Sequence, residues 1–396
     1  MREGEGMKVK LGDICTFQSG GTPSKTNMDY FSGDIPWITT VALNGQIIGG
    51  DAAVDWITEK AIKESAAKIV PARSIMVGVR VGVGKVAINE IPMSTSQDII
   101  SLVGINESLW SKDFLCKFIQ SKETYLKSQS RGATIKGIKI DVLASLDLPD
   151  VPFDEQQEIV AVLDKVQNIL AVRRSQISAL DNLIKARFVE MFGDLAKGGG
   201  GYPVEKIGSL VANIVPGWSA NGEARQKTCG EKAVLKVSAV TQGYFKPEEH
   251  KALSAGTEIK KYVFPRKGDL LFSRANTKEL VGATAIIDRD YPDLILSDKL
   301  WRVIFTDAMN VYYAKYVLST EFIRGQFSAK STGTSGSMFN VSADKFRDVA
   351  IPVPPRMSQD SFAVFVRQVD KLKSAIQKSL DETGILFNSL MQKYFC

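Results

Sequence analysis

The chain has 396 residues, of which 44% are hydrophobic and 24% are charged, so it is long enough for two to four compact units. This composition argues against extensive disorder, and no apolar run approaches the roughly 18 residues of a membrane-spanning helix. The start, MREGEGMKVK, lacks the apolar core of a secretory signal. Together these features predict a cytoplasmic protein without a membrane segment.

The net charge of +6 permits nucleic acid as a partner. The four cysteines are scattered without a CxxC pair, so neither a zinc site nor a disulfide framework is predicted. His250 is the only histidine, which excludes multi-histidine metal centres, and its polar surroundings KPEEHK predict a solvated loop. No metal site is therefore expected.

The first part of the chain predicts a β-rich module that ends near residue 150. Short apolar runs such as DIPWITT and SIMVGVRVGVGKVAI are separated by glycine and asparagine turns. A helical piece is predicted between Trp110 and Ser128. An extended segment, LASLDLPDVP, then closes the module.

A long amphipathic helix is predicted from Asp154 to Phe192, because this stretch contains no glycine or proline. Its apolar residues alternate at spacings of three and four, as in a coiled coil. These residues are Leu163, Val166, Leu170, Ile177, Leu180, Ile184 and Met191. At about 1.5 Å per residue the helix spans roughly 58 Å and needs a partner for its apolar face. The glycine-rich stretch GDLAKGGGGYP follows it as a flexible link.

The same plan recurs 203 residues later, where PRMSQDSFAVFVRQVDKL from Pro355 repeats the outline of PFDEQQEIVAVLDKVQNI from Pro152. This predicts a second β-rich module, with strands such as GDLLFSR and LWRVIF and a helical piece from Tyr312 to Phe327, followed by a second long helix. Upstream, KLGDI resembles KIGSL, and PARSIMVGVR resembles PRKGDLLFSR with an arginine nine residues after each proline. The predicted order is module, helix, module, helix.

Two such helices can lie antiparallel and bury their apolar faces against each other. The modules would then be related by an approximate twofold axis within one chain, and twofold proteins read DNA through half-sites at a fixed separation. About 58 Å corresponds to about 17 base-pair steps, so helix length would set that separation. Because the modules differ in sequence, the predicted target is bipartite and asymmetric.

Four polar, flexible stretches are the candidates for contacts with bases and phosphates: QSGGTPSKT, SRGATIKG, SRANTKE and AKSTGTSGS. Each of them could equally be a solvated connection. The candidate DNA-binding residues are Thr22, Lys25, Arg80, Lys85, Arg131, Thr134, Lys136, Arg225, Arg274, Asn276, Lys278, Lys330, Thr334 and Ser335.

Catalytic motifs are not found in the sequence. VGVRVGVGKVAI does not fit a Walker phosphate loop, because Val79 stands where the first glycine is needed and Val86 follows Gly84-Lys85. Gly82, Gly84 and Ala87 fit only the last part of a dinucleotide fingerprint, so a glycine-bearing β-turn is favoured. The Asn/Asp-Pro-Pro-aromatic tetrapeptide of amino-methylating DNA methyltransferases is missing, as are the paired carboxylates and lysine of a nuclease. We therefore predict no catalytic residues.

The sequence resembles the specificity subunit of type I restriction-modification systems. KLGDICTFQSGGTPSK…GDIPWITT resembles the start of that family's target-recognition domains, and LPDVPFDEQQEIVAVLD resembles its junction of strand, proline, Gln-Gln and helix. VPPRMSQ…SLMQKYF resembles the distal conserved region. The second junction departs from the pattern, because Ser358 replaces Glu155 and Asp360 replaces Gln157.

The resemblance implies an α+β fold with two β-rich target-recognition domains on two long helices that pair as an antiparallel coiled coil. The expected divisions are recognition domain 1 (1–150), a central spacer helix (151–193), a glycine-rich linker (194–202), recognition domain 2 (203–353) and a C-terminal spacer helix (354–396). Double-stranded DNA and two modification subunits are the implied partners. The chain would have no cofactor of its own: the modification subunits would carry S-adenosylmethionine, and a restriction subunit, where present, would use ATP and Mg²⁺.

Two alternatives stay open. A self-contained DNA methyltransferase or endonuclease is disfavoured, because the four assigned segments leave no room for a catalytic domain. A non-catalytic interaction protein could instead oligomerise through its coiled coil and bind protein through its modules.

Overall fold

The computed structural model describes residues 8–131, 137–197, 199–254, 256–333 and 338–396. The chain divides into two compact units, unit 1 (Met1–Arg174 with Lys378–Cys396) and unit 2 (Ser175–Gln377). Each unit contains one β-rich module and part of each long helix. None of the helices in the described ranges is long and apolar enough to cross a membrane.

Unit 1 contains eleven of the described strands, and its core lies between two sheets and a helix. The strands are β1 (Lys8–Lys10), β2 (Thr16–Ser19), β3 (Phe31–Ile38), β4 (Ile47–Ile48), β5 (Asp55–Ile57), β6 (Ile69–Val70), β7 (Ile75–Gly78), β8 (Val86–Asn89), β9 (Met93–Thr95), β10 (Ile99–Val103) and β11 (Asp147–Pro149). They form sheets in the orders β2-β10-β7-β8-β4, β5-β3-β9-β6 and β1-β11. The helices of the module are α1 (Leu11–Ile14), α2 (Glu59–Glu64), α3 (Lys112–Ser121), α4 (Glu123–Ser128) and α5 (Ile140–Ala144).

The central strands of unit 1 are buried on both faces, which explains their continuous apolar runs. Ile75 and Val77 of β7 face the core that contains Phe114 of α3, whereas Met76 faces a second core with Ile38 of β3. Alternate side chains of one strand therefore join the two layers.

Unit 2 repeats this plan with different residues. Its strands are β12 (Val204–Lys206), β13 (Val211–Pro216), β14 (Gly222–Glu223), β15 (Ala233–Leu235), β16 (His250–Leu253), β17 (Leu270–Ser273), β18 (Ala275–Asn276), β19 (Thr284–Ile286), β20 (Leu294–Ile295), β21 (Leu300–Phe305), β22 (Phe339–Asn340) and β23 (Ala350–Pro352). They form sheets in the orders β13-β21-β17-β19, β14-β16-β15-β20, β18-β22 and β12-β23. The module's helices are α7 (Ile207–Leu210), α8 (Val311–Ser319), α9 (Glu321–Lys330) and α10 (Ala343–Arg347).

The two long helices are α6 (Phe153–Phe192) and α11 (Arg356–Phe395), each of 40 residues. The predicted helices are thus confirmed, and they begin and end 203 residues apart, as the repeat indicates. Within unit 2 they run antiparallel, because Asp181 of α6 pairs with Lys373 of α11 and Phe188 contacts Phe362. The predicted α+β class with two tandem domains and long helices is therefore confirmed.

The predicted apolar face of the helices is buried mainly towards their ends. Leu163 and Ile184 of α6 are fully buried, whereas Ile177 and Leu180 near its middle are half-buried. The ends pack into the cores of the modules, which also bury Ile159 and Phe188.

Several local predictions need correction. Each predicted helical piece is two helices, and the extended segment before each long helix pairs over only three residues, in β11 and β23. The solvated loop predicted for His250 is wrong, because this side chain is buried on β16. Its Nδ1 lies 2.7 Å from the Pro247 oxygen, and its Nε2 accepts a hydrogen bond from the Lys227 NH at 3.1 Å. His250 is therefore held by backbone groups on both ring nitrogens.

The proposed match of Arg80 with Arg274 is wrong by one residue. Gly78, the last residue of β7, pairs with Ile99, and Ser273, the last residue of β17, pairs with Leu300. Arg274 therefore follows its strand directly, whereas Arg80 lies one residue further on. Because neighbouring residues of an extended chain point to opposite sides, the two arginines face different surroundings.

Candidate nucleic-acid interface

A turn, here called the Arg80 turn (Val79–Lys85), joins the central strands β7 and β8 of unit 1. The Gly78 NH donates to the Lys85 oxygen at 2.8 Å, and the Gly84 NH donates to the Gly78 oxygen at 3.0 Å. Gly82 and Gly84 have positive φ angles of 64° and 84°, which glycine adopts without a steric penalty. Arg80 and Lys85, near the two ends of the turn, are both exposed.

Two further segments flank this turn. The Val79 NH donates to the Asp98 oxygen, and the Ile138 NH donates to the Val79 oxygen, each at 2.8 Å. Gly137 in turn pairs with Arg131 through two backbone hydrogen bonds of 2.9 and 3.0 Å. The structure therefore brings Arg80 and Arg131, which are 51 positions apart in the chain, to the same edge of unit 1.

The loop that carries Thr22 and Lys25 reaches this edge from the other side of residues 95–99. The Gly20 NH donates to the Ile99 oxygen at 3.0 Å, and the Gly21 NH donates to the Thr95 oxygen at 2.9 Å. Thr22 and Lys25 are both exposed. Gly20 and Gly21 thus hold the start of this loop beside residues 95–99, the segment that also holds Val79.

Unit 2 repeats the backbone arrangement around Arg274. The Arg274 NH donates to the Lys299 oxygen at 3.0 Å, and the Val341 NH donates to the Arg274 oxygen at 2.8 Å. Strand β18, which lies within SRANTKE, pairs with β22, and Asn340 of β22 also forms a bridge with Thr332 of the second predicted loop. Arg274, Lys299 and Val341 thus correspond to Val79, Asp98 and Ile138 of unit 1. The side chains differ in chemistry at the first two positions and are both aliphatic at the third.

The individual side chains of this second site are partly engaged within the protein. The guanidinium carbon of Arg274 lies 5.6 Å from the centre of the Trp301 ring, at a distance suited to a cation–π contact. Asn276 is buried, and its Oδ1 accepts a hydrogen bond from the Thr277 NH at 2.9 Å. Lys278 is exposed.

Two predicted cations form ion pairs with neighbouring carboxylates. Arg225 contacts both oxygens of Glu231 at 2.7 and 2.9 Å and Glu223 at 2.8 Å. Arg225, together with the Thr228 NH, holds the pKa of Glu231 at about 2. Lys330 contacts Asp348 at 2.6 Å. A phosphate would have to compete with these carboxylates for either cation.

Arg80 lies 4.0 Å from Asp98, whereas four other predicted cations of the described ranges have no carboxylate this near. In the part of the chain that the structure describes, no carboxylate lies within 4.0 Å of Lys25, Lys85, Arg131 or Lys278. Exposed cations of this kind are suited to phosphate contacts. Thr134, Lys136, Thr334 and Ser335 lie outside the described residues.

The sequence did not single out two residues that share these surfaces, Val81 at the tip of the Arg80 turn and Trp218 in unit 2. The Gly217 NH donates to the Leu300 oxygen and the Trp218 NH to the Leu296 oxygen, at 3.1 and 2.9 Å. Trp218 thus stands where unit 1 has Gly21. The repeat of KLGDI and KIGSL, extended without a gap, aligns Gly21 with Gly217 and so misses this position by one residue.

Comparison with known proteins agrees with this architecture. A family model described as "Type I restriction modification DNA specificity domain" matches residues 4–181 and 197–383. Over 190 residues the chain is 32% identical to the type I restriction enzyme MjaIX specificity subunit of Methanocaldococcus jannaschii. That match covers 47% of this chain and 43% of the relative, so the chain spans less than half of the relative's length.

Two solved structures share the fold over the whole chain. One is a type I restriction-modification S subunit from M. genitalium, with a TM-score of 0.57, 14% identity, and coverage of 100% of this chain and 98% of the other. The second is described as the structural basis of complex assembly and conformational transition of the type I R-M system. Its TM-score is 0.58 at 18% identity, and the match covers 100% of this chain and 99% of the other. Because the family model matches both repeats, the chain belongs to the type I restriction-modification DNA specificity domain family.

Proposed function

We propose that this chain is the DNA-recognition subunit of a type I restriction-modification complex and that it reads a bipartite, asymmetric target. Membership of a DNA specificity family and a relative that is named as a specificity subunit support this assignment. The divisions predicted from the sequence, with recognition domains at 1–150 and 203–353, form part of the proposal.

The observation that carries the proposal is the repeated backbone arrangement with different side chains. Each unit holds a segment after a central strand between two neighbouring segments, through the hydrogen bonds of Val79 in unit 1 and Arg274 in unit 2. Unit 1 presents the exposed Arg80 and Lys85 near this segment, and unit 2 presents the exposed Lys278. Because base edges are distinguished by the chemistry of the contacting side chain, the two units would select different half-sites.

Partner subunits form the second part of the proposal. One solved structure that shares the fold is described in terms of the complex assembly of a type I R-M system, which supports partner subunits for this chain. On the part of α6 that belongs to unit 1, Val162, Ile169 and Val172 are substantially exposed, and their spacing places them on one face of the helix. This apolar stripe suits the docking of modification subunits, of which we propose two.

The chemistry would belong to those partners. The modification subunits would bind S-adenosylmethionine and transfer its methyl group to DNA, and a restriction subunit, where present, would use ATP and Mg²⁺. The chain itself would hold no cofactor or metal and have no catalytic residue. Its proposed compartment is the cytoplasm, where the DNA target lies.

The test is selection of duplex DNA from a randomised library by the chain in complex with its modification subunits, followed by sequencing. We expect two short specified elements separated by a fixed gap. Exchange of residues 1–150 for another recognition domain should change one of the two DNA elements only. Changes in both elements would show that the two domains do not recognise their half-sites independently. Methyl transfer by the isolated chain would instead support a self-contained methyltransferase.

A further inference from the structure

An apolar side chain stands at the tip of the Arg80 turn, between cations. Val81 is 54% exposed, and its immediate neighbour Arg80 is exposed as well. The stem of Lys85 returns to the same point, because its Cδ lies 3.0 Å from the position that a Cβ of Gly82 would take. Isolated exposed valines are common on protein surfaces, but this one lies between two cations of a predicted DNA-contacting surface.

The turn holds Val81 in a fixed place before any ligand binds. The Lys85 NH donates to the Gly82 oxygen at 3.0 Å, which adds to the hydrogen bonds of Gly78 and Gly84. The residue before Arg80, Val79, forms backbone hydrogen bonds through both its NH and its carbonyl oxygen, to Asp98 and Ile138 respectively. A side chain on such a turn loses little conformational freedom when it binds a partner.

The charges around Val81 favour a polyanion. Arg80, Lys85 and Arg131 surround the turn, and Arg80 lies 4.0 Å from the carboxylate of Asp98. Glu123, which approaches Gly84, is itself paired with Lys127 at 2.5 Å. The cations therefore outnumber the unpaired carboxylates near the tip.

The size of the side chain decides between two kinds of apolar contact with DNA. Side chains that wedge between stacked bases are usually larger, such as Phe, Leu, Ile or Met. A short branched side chain instead matches the C5 methyl group of thymine, the apolar feature of the major groove. We propose that Val81 reads the methyl group of a thymine in the half-site that unit 1 contacts. This inference rests on the proposed function and names a residue that determines its specificity.

The experiment compares thymine with uracil, which lacks only that methyl group. After selection has defined the target, each thymine of the unit 1 half-site is replaced by deoxyuridine, and the dissociation constant is measured with the chain in its complex. We expect one replacement to weaken wild-type binding by about fourfold, the effect of one buried methyl group. The Val81→Ala variant should bind thymine and uracil equally well. The effects of the DNA replacement and of the protein substitution on the binding free energy should therefore not be additive.

A matched control is Val54→Ala. Val54 is also 54% exposed in unit 1, but its charged near neighbours in the sequence are Asp51 and Asp55. This variant should discriminate thymine from uracil as the wild type does. Because both valines are exposed, both variants should keep the wild-type melting temperature.

Two failures can be distinguished. If the wild type selects a bipartite site but no uracil replacement weakens its binding, or if Val81→Ala keeps the discrimination, the assignment of Val81 is overturned while the proposed function stands. If the wild type selects no sequence, the proposed function is overturned and the assignment of Val81 with it.

Discussion

The side-chain oxygen of Gln156 accepts a hydrogen bond from the backbone NH of Ser111 at 2.8 Å. Its amide nitrogen donates to the Leu109 and Val151 oxygens at 3.0 and 2.9 Å. One buried side chain thereby joins the segment before α3 to the segment before α6. Unit 2 repeats the arrangement, with Gln359 accepting from the Asn310 NH at 2.8 Å and donating to Ala308 and Pro354.

We expect Gln156→Leu to destabilise the protein by about 3 kcal/mol, because it leaves one NH and two carbonyl groups buried without their partner. The free energy of unfolding in urea measures this loss. The matched control is Gln157→Leu, since Gln157 is the exposed neighbour on the same helix and its replacement should cost less than about 0.5 kcal/mol. Equal losses in the two variants would contradict a structural role for Gln156.

This pair of glutamines shows what the sequence can and cannot reveal. The long helices were predictable, because helical periodicity without glycine or proline is visible along the chain. The recurrence of Gln156 at Gln359 was visible too, but its role was not. Two of the three partners of Gln156 are backbone groups 45 and 47 positions away, and backbone groups leave no trace in the residue pattern.

The candidate site was predictable only in outline. The loops could be named from their polarity, but their grouping around β7 and β17 depends on strand register. One extra residue between Pro265 and β17 shifted Arg274 relative to Arg80, and sequence similarity between short segments does not resolve such a shift. His250 was placed in solvent for a similar reason, since its polar neighbours hide the strand that buries it.

Asp348 should make the protein more stable at neutral pH than at low pH. Lys206 at 2.7 Å and Lys330 at 2.6 Å lower the pKa of its carboxyl group to about 2. Because the pKa is lower in the folded state, this stabilisation is present above the ordinary value of 3.8 and is lost as the pH falls towards 2.

Urea unfolding of Asp348→Asn from pH 7 down to pH 2 tests this expectation. The variant should be less stable than the wild type at pH 7, and the difference should shrink below pH 4. Asp307→Asn changes an exposed aspartate of the same unit and serves as the control. A difference for Asp348→Asn that is independent of pH would show that the ion pairs do not cause the effect.

Arg225 should contribute less to DNA affinity than Lys278 does. Its guanidinium group is neutralised by Glu223 and Glu231, whereas Lys278 is exposed without a carboxylate within 4.0 Å in the described part of unit 2. Each phosphate contact that is lost lowers the slope of log affinity against log salt by about 0.9. We expect Lys278→Ala to lower this slope by about that amount and Arg225→Ala to leave it nearly unchanged.

The measurement is DNA affinity of the complex from 50 to 200 mM salt, with Glu231→Gln as a third variant. If Arg225 serves mainly to hold its loop, Glu231→Gln should resemble Arg225→Ala in melting temperature. A lower slope for Arg225→Ala would instead assign a phosphate contact to this arginine, as the sequence suggested.

The last prediction concerns the lengths of the long helices. Removal of residues 174–180 from α6 and 374–380 from α11 takes out two helical turns and nearly preserves the apolar face, because seven residues return to almost the same angle. The deletion removes none of the fully buried residues at the helix ends, such as Leu163 and Phe362, and it keeps Asp181 and Lys373. Each helix shortens by about 10 Å, which corresponds to about three base-pair steps.

If helix length sets the separation of the half-sites, the selected target should keep both specified elements and lose about three base pairs from the gap. Sequencing of duplexes selected by the shortened chain in its complex gives both quantities at once. A full-length control with the exposed Ser175 and Ser178 changed to alanine should keep the original gap, since it alters the same segment without shortening it. An unchanged gap in the shortened chain would show that the helices join the modules without determining their spacing on DNA.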